Sequence, residues 1–225
     1  MVIAIDGPAG SGKSTTAKLV ARKLGCLHIN TGAMYRGVAL KFIEYGISIH
    51  SYSEVELKKI LDDIVFELAG EDGSILFMNG HDVSSEIKSH EVTNIVSSVS
   101  SIGIVREKMV NYQRKMSLKK DVVLEGRDIG SVVFPNADFK FFLVADLDVR
   151  AIRRKKQIEM NGENVSLDFI ISSLKERDEK DSMRSHSPLM KTKDAIELDT
   201  THLTIENQIN FIINKVNQNN KEHGS

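Results

Sequence analysis

Gly7-Pro8-Ala9-Gly10-Ser11-Gly12-Lys13-Ser14 is the stretch of this 225-residue chain whose residue types and spacing carry the most chemistry. It fits the pattern GxxxxGK[ST], and its surroundings agree. A short apolar strand, Val2-Ile3-Ala4-Ile5, precedes it, and the alternating segment Thr15–Leu24 reads as a helix. Glycines permit a tight turn in which backbone N–H groups converge on phosphate oxygens at a helix N-terminus. Gly7, Pro8, Ala9, Gly10, Ser11, Gly12, Lys13, Ser14 and Thr15 are thus expected to hold the phosphates of a nucleotide. Lys13 would reach the β- and γ-phosphates, and the Ser14 hydroxyl would sit on Mg²⁺. The competing reading is a glycine-rich turn with no nucleotide, and the agreement of the fixed positions with their flanks weighs against it.

Such a loop specifies a nucleotide and leaves the reaction open. Arginines at expected strand and helix ends narrow it. Arg36 follows a Thr31-Gly32 turn, and Arg127 follows Gly126 just past a core strand, where ligands of open α/β sheets sit. Arg153 and Arg154 share one helix. Arg177 and Arg184, seven residues apart, are two turns apart on another, with Asp181 in reach of both. Guanidinium grips phosphate through two bonds, and phosphoryl transfer needs alignment and positive charge more than a covalent nucleophile. An acceptor that is itself a phosphate needs no general base, because its oxygen is already largely ionised near neutral pH. The HRD and DFG signatures of protein kinases are absent. His28, His50, His81, His90, His186, His202 and His223 form no ligand-spaced cluster and read as surface or locally hydrogen-bonded residues.

The elements that must position these residues alternate along the chain. After the first helix, Cys26–Ile29 reads as a strand, Asn30-Thr31-Gly32 as a turn, and Ala33–Tyr45 and Ser53–Asp63 as helices, the latter capped by Ser53 with Glu56. The period then changes: Val65–Leu68 and Ile75–Met78 are strand-like, with Gly70-Glu71-Asp72-Gly73 as the turn of a hairpin spanning about 64–79. Residues 91–118 read as helix, Asp121–Leu124 and Phe139–Val144 as core strands, 148–160 and 166–183 as helices, Ala195–Leu198 as a strand and Ile205–Val216 as a closing helix with a frayed tail from Asn217. Five strands alternating with helices imply an α/β fold with a parallel sheet between helical layers. Residues 1–36 and 91–225 would form the core and 37–90 a small insert closing over a second substrate.

Composition sets outer bounds. Hydrophobic residues make up 41% and charged residues 27%, and the net charge of −1 gives no general pull toward nucleic acid or an anionic membrane. The single cysteine, Cys26, excludes an intrachain disulfide. No apolar stretch approaches a membrane span, and the N-terminus runs directly into strand and loop, leaving no room for a signal peptide. A monomer in the cytoplasm is the expectation.

The chain closely resembles the bacterial cytidylate kinases, or (d)CMP kinases, over nearly its full length. The resemblance rests on Ile5-Asp6-Gly7-Pro8 through Ser14, Thr31-Gly32-Ala33-Met34-Tyr35-Arg36, Asp82-Val83-Ser84 with Glu86-Ile87, Gly126-Arg127-Asp128-Ile129-Gly130 with Val132-Val133-Phe134-Pro135, and Lys175-Glu176-Arg177-Asp178. It implies the P-loop NTPase three-layer sandwich, with ATP (the nucleotide held by Gly7 through Thr15), Mg²⁺ and CMP or dCMP as its small-molecule partners. It further implies that Thr31, Arg36, Arg106 and Arg127 hold the CMP phosphate. Ser97, Arg177 and Asp181 would read the cytosine edge, with Asp128 near the sugar hydroxyls and Arg184 facing the phosphates. Arg153 would belong to a mobile lid, about 150–165. Lys13, Arg127, Arg153 and Arg184 would then neutralise the migrating charge. Asn30 and Thr31 stand where relatives often have Asp and Ser, and Ser14 where some have Thr; the needed oxygens are kept. Two other readings of the residues stay open: a P-loop kinase for another nucleotide or a metabolite hydroxyl, with Asp128 as base, and a P-loop switch with slow hydrolysis indifferent to nucleoside monophosphates.

Overall fold

The apolar runs expected as core strands pair with one another in the computed structural model, which describes residues 1–70, 75–160, 162 and 164–222. In chain order the first elements are β1 (Val2–Asp6), α1 (Lys13–Leu24), β2 (Leu27–Asn30), α2 (Thr31–Glu44) and α3 (Glu54–Asp62). Next come β3 (Phe66–Ala69), β4 (Ile75–Met78), β5 (His81–Asp82), α4 (His90–Val99) and α5 (Gly103–Met116). The chain closes with β6 (Val122–Gly126), β7 (Phe139–Val144), α6 (Leu147–Met160), α7 (Leu167–Met183), β8 (Ile196–Asp199) and α8 (Ile205–Glu222). β2-β6-β1-β7-β8 form a five-stranded sheet in which every pairing is parallel; β3-β4-β5 form a small antiparallel one.

Two apolar layers flank the large sheet. Ile3, Ile5, Val123, Phe141 and Leu143 pack against α1 and α8 through Ala17, Val20, Ile209, Ile212 and Val216. Ala4, Ile29, Val122 and Leu124 face the other way, toward α2, α4 and α5. Strands buried on both faces need near-continuous apolar sequence, which is why these runs read as core strands at all. The second layer continues without a break into Leu57, Leu61, Phe66, Leu76 and Met78, so α3 and the small sheet share one core with the helices beside the large sheet. Among the described residues no helix is long and apolar enough to cross a membrane.

Several boundaries differ from expectation, each for a local reason. The single helix expected over 91–118 is two. α4 stops at Ser100, where the Ser100 and Ser101 hydroxyls donate to Ser97 O and Ser98 O, and α5 restarts at Gly103. Serine hydroxyls that bond the preceding turn compete with helix continuation. Thr31 and Gly32 belong to α2 rather than to a turn, because the Asn30 side chain caps the helix by accepting from Ala33 N at 2.9 Å. Ser53 caps α3 by accepting from Glu56 N. The tail expected to fray from Asn217 continues as helix to Glu222, and the turn residues Glu71-Asp72-Gly73 lie outside the described residues.

At Gly7 the chain leaves β1 with φ +145°, and a Cβ there would lie 2.1 Å from the Leu143 carbonyl oxygen on β7. A backbone oxygen held in a sheet cannot retreat. Gly7→Ala is expected to destabilise the fold by about 2 kcal/mol or more, a strained backbone and a core clash combined. A urea midpoint equal to wild type would show that the loop does not press on β7.

Candidate active site

Parallel register brings the ends of three strands to one edge. Asn30 lies beside Glu125, and Asp6 beside Gly126, so the segments leaving β2, β6 and β1 start side by side. The carboxyl edge of such a sheet is where ligands bind. Between β1 and α1 the glycine-rich loop turns through left-handed conformations at Gly10 (φ +77°) and Gly12 (φ +92°), and Gly12 caps α1 without a side chain. The helix N-terminus therefore keeps its N–H groups for an anion. Lys13 is buried, with Nζ donating to Pro8 O at 2.5 Å and standing 3.4 Å from Ser11 Oγ. Burial, and then Arg127, hold its pKa well below the ordinary lysine value against the pull of Glu125.

The Ser14 hydroxyl donates to Glu125 Oε2 at 2.5 Å. Glu125 is buried; its Oε1 makes no hydrogen bond among the described residues and lies 3.5 Å from His28 Nε2. His28, expected as a surface or locally hydrogen-bonded residue, is buried on β2 and faces Glu125 on the neighbouring strand. Thr31 Oγ donates to Glu125 O at 2.7 Å, tying α2 to the same strand end.

Beyond β6 stands a cluster of guanidiniums. Arg127 Nε donates to Asp181 Oδ2 at 2.8 Å, Arg177 Nε lies 4.0 Å from that oxygen, and Arg184 Nη1 lies 3.8 Å from Oδ1. Arg184 Nη2 lies 3.9 Å from Asp128 Oδ1, while Arg106 pairs with Asp128 Oδ2 and donates to Ser100 O at 3.1 Å. The Arg106 guanidinium also lies over the Tyr35 ring, 5.4 Å from its centre. Burial, and then Arg127, push the Arg177 pKa down to about 10; burial and Arg106 lower that of Arg184. Burial works to raise Asp181, but Arg127 and Arg177 outweigh it and hold the carboxyl below its usual range. Four guanidiniums thus face two carboxylates, and Arg177 Nε and Arg184 Nη2 are buried with no hydrogen bond among the described residues. Such a group is short of anions.

Ser97 borders a pocket of about 400 Å³ with Asp181 and Arg184, between α4 and the end of α7. Lys13, Arg106, Arg127, Asp128, Arg177, Asp181 and Arg184 therefore gather around one cleft edge. Two expected residues are engaged by other partners, although Arg36 is close enough to Arg177 to help lower its pKa. Arg36 donates from Nη1 to Ile87 O and Thr93 Oγ, each at 2.9 Å, and burial followed by Arg154 lowers its pKa to about 10. Arg153 donates to the Thr200 hydroxyl at 3.1 Å and carbonyl at 2.6 Å. Thr200 in turn donates to Ser11 O at 2.9 Å, so Arg153 reaches the phosphate loop through it.

Sequence reasoning assigned no role to Glu125, Asp6 or Thr200. The first two carried a usable signal: each is a carboxylate ending an otherwise apolar core strand beside a motif glycine. Asp6 Oδ1 accepts from Ile129 N at 2.8 Å and Oδ2 from Gly130 N at 2.7 Å. These bonds pin the π-helical turn Ile129–Val133 that follows Arg127-Asp128.

The cytidylate kinase family model matches residues 3–218. A cytidylate kinase from Fusobacterium nucleatum subsp. nucleatum is 49% identical, covering 96% of this chain and 97% of its own. One from Clostridioides difficile is 46% identical, covering 96% and 98%. Among solved structures, an uncharacterised protein from Eubacterium ventriosum superimposes with a TM-score of 0.52 at 14% identity, covering 96% of this chain and 98% of that one, a likeness of fold alone.

Burial pushes the Asp6 carboxyl from 3.8 up to about 6, in spite of the two N–H donors. Between those values the folded chain keeps a proton that the unfolded chain has released, so stability falls as pH rises from about 4 to 6. Asp6→Asn removes this titration. Urea unfolding from pH 4 to 7.5 should therefore show a shallower decline for the variant than for wild type across that window, and parallel curves would refute the assignment.

Proposed function

Because this chain belongs to the cytidylate kinase family, it is a nucleoside monophosphate kinase that moves the γ-phosphoryl group of ATP to CMP or dCMP, and we propose how its site does so. The observation that carries the proposal is the anion-deficient arginine cluster set across the strand ends from Lys13 and the helix N-terminus. ATP binds along Gly7–Thr15. CMP binds opposite, its phosphate taken by Arg36, Arg106 and Arg127 near Thr31, its ribose beside Asp128, and its base read by Arg177 together with Ser97 and Asp181, which border the pocket between α4 and the end of α7. An oxygen of the CMP phosphate attacks the γ-phosphorus in line, the bond to the β–γ bridging oxygen breaks, and CDP and ADP result. Lys13, Arg127, Arg153 and Arg184 stabilise the charge spread over the moving group.

The residues also fit Mg²⁺. Ser14 and Glu125 converge on one point, and the buried Glu125 Oε1 lacks a hydrogen-bond donor among the described residues, as a carboxylate serving a cation would. A bound Mg²⁺ would neutralise charge on the β- and γ-phosphates. Segment 37–90 acts as the part that closes on CMP and 150–165 as the lid over ATP, excluding water as a competing acceptor. The protein works as a cytoplasmic monomer and takes no nucleic acid, in keeping with a net charge of −1.

Asp181 would accept from the exocyclic amine of cytosine while Arg177 donates to the ring acceptors. Uracil would set a carbonyl against the carboxylate and leave polar groups unpaired.

An ADP-release assay with Mg·ATP against CMP, dCMP, UMP, AMP and GMP should give fast turnover with the cytidine nucleotides; slow turnover with all five would overturn the proposal. Lys13→Ala should lower kcat by about 10²-fold or more, the scale of a lost transition-state contact, and a near-normal kcat would remove Lys13 from that role. In Asp181→Ala the preference for CMP over UMP should collapse; an unchanged ratio would sink the base-reading assignment.

A further inference from the structure

Arg150, the first residue of the segment read above as the lid, has no side-chain role in that reading, yet it contacts both the glycine-rich loop and α7. It is buried near the start of α6. Its Nε donates to Ala145 O at 3.0 Å, and Nη1 to Ala9 O at 3.2 Å and to Asp178 Oδ2 at 2.5 Å. Ala9 is a buried residue within the glycine-rich loop between β1 and α1. Asp178 sits on α7, next to Arg177 and one helical turn before Asp181. Beside this clamp Ala9 packs with Ala151, Ile170 and Leu174 in a small apolar cluster of its own. The loop also lies hard on α6: a Cβ on Gly10 would come within 3.0 Å of Arg150 Cβ. The other Asp178 oxygen is buried without a hydrogen bond among the described residues, so Arg150 is the partner that carboxylate has.

A helix moves as a unit over one turn, so whatever fixes Asp178 also fixes where Arg177 and Asp181 stand. The Ala9 peptide, in turn, belongs to the backbone that must wrap the donor phosphates. We propose that the Arg150–Asp178 clamp couples the two nucleotide sites, with Arg150 as a positioning residue that makes the shape of the phosphate loop and the placement of the acceptor-reading helix α7 depend on one another. The proposal rests on reading the two sites as donor and acceptor nucleotide sites. A planar guanidinium spans three acceptors on three separate segments; a lysine ammonium in the same place is a point charge and cannot hold that geometry. Coupling between sites is reciprocal, so loosening either end of the clamp must be felt at the far site.

The test is calorimetric titration of Mg²⁺ with β,γ-methylene-ATP, and separately of CMP, into wild type, Arg150→Lys, Asp178→Asn and the double variant, with far-UV circular dichroism to confirm folding. Asp178→Asn is isosteric and keeps the test available where the arginine variant fails to fold. Asp178→Asn, on the acceptor helix, should weaken the ATP analogue with no CMP present. Arg150→Lys, on the loop side, should weaken CMP with no analogue present. Each far-site loss should be about five-fold or more, the lower end of ordinary coupling, and the double variant should lose no more than the larger single one. Losses confined to the near site, fully additive losses, or a lower Tm with both affinities intact would each overturn the coupling. A wild type that binds neither nucleotide would overturn the two-site reading beneath it, and the coupling with it.

Discussion

Crowding cations away from water is unfavourable until anions arrive, and the rest of this structure is arranged around that constraint. Lys13 and the guanidiniums of Arg106 and Arg184 are withdrawn from solvent, with Arg127 and Arg177 partly so. Asp128 and Asp181 hold the arginines apart and in place without neutralising them. Burial and mutual repulsion lower the pKa of Lys13, Arg177 and Arg184 together. In the proposed function, phosphates entering the cleft relieve all three at once, so that binding strength and charge placement would arise from the same residues.

Such a cluster needs a rigid frame, and the parallel sheet supplies it. Register fixes Asp6 beside Gly126 and Glu125 beside Asn30, so three chain segments reach one edge at known heights. Asp6 then holds the turn after Asp128 through two backbone N–H groups, and Thr31 ties α2 to the Glu125 carbonyl. Each link pairs a side chain with a backbone group and has a strand end on one side of it. The charged side chains beyond them are thereby set by the sheet rather than by loops.

α7 carries the opposite wall. Its C-terminal turns present Arg177, Asp181 and Arg184, and its middle joins the phosphate loop through Asp178 and Arg150. The break between α4 and α5 has a related effect, since Ser100 both ends α4 and offers the carbonyl that Arg106 uses. An unbroken helix there would have kept that carbonyl for itself.

The sequence by itself determined what depends on neighbours along the chain. The glycine loop is legible because left-handed backbone at Gly10 and Gly12 needs glycine, and the five core strands because covered strands must be apolar throughout. Asp181 lies near Arg177 and Arg184 by helical spacing alone. The tertiary structure decided what depends on register and on the rotational phase of packed helices. It set Arg127 against Asp181, Ser14 against Glu125, and His28 inside the sheet. It also turned Arg153 onto Thr200 while its neighbour three residues earlier, Arg150, took the phosphate loop. Residues three apart on one helix share a face, so spacing alone does not say which of the two takes the loop and which takes Thr200; the surfaces they pack against decide.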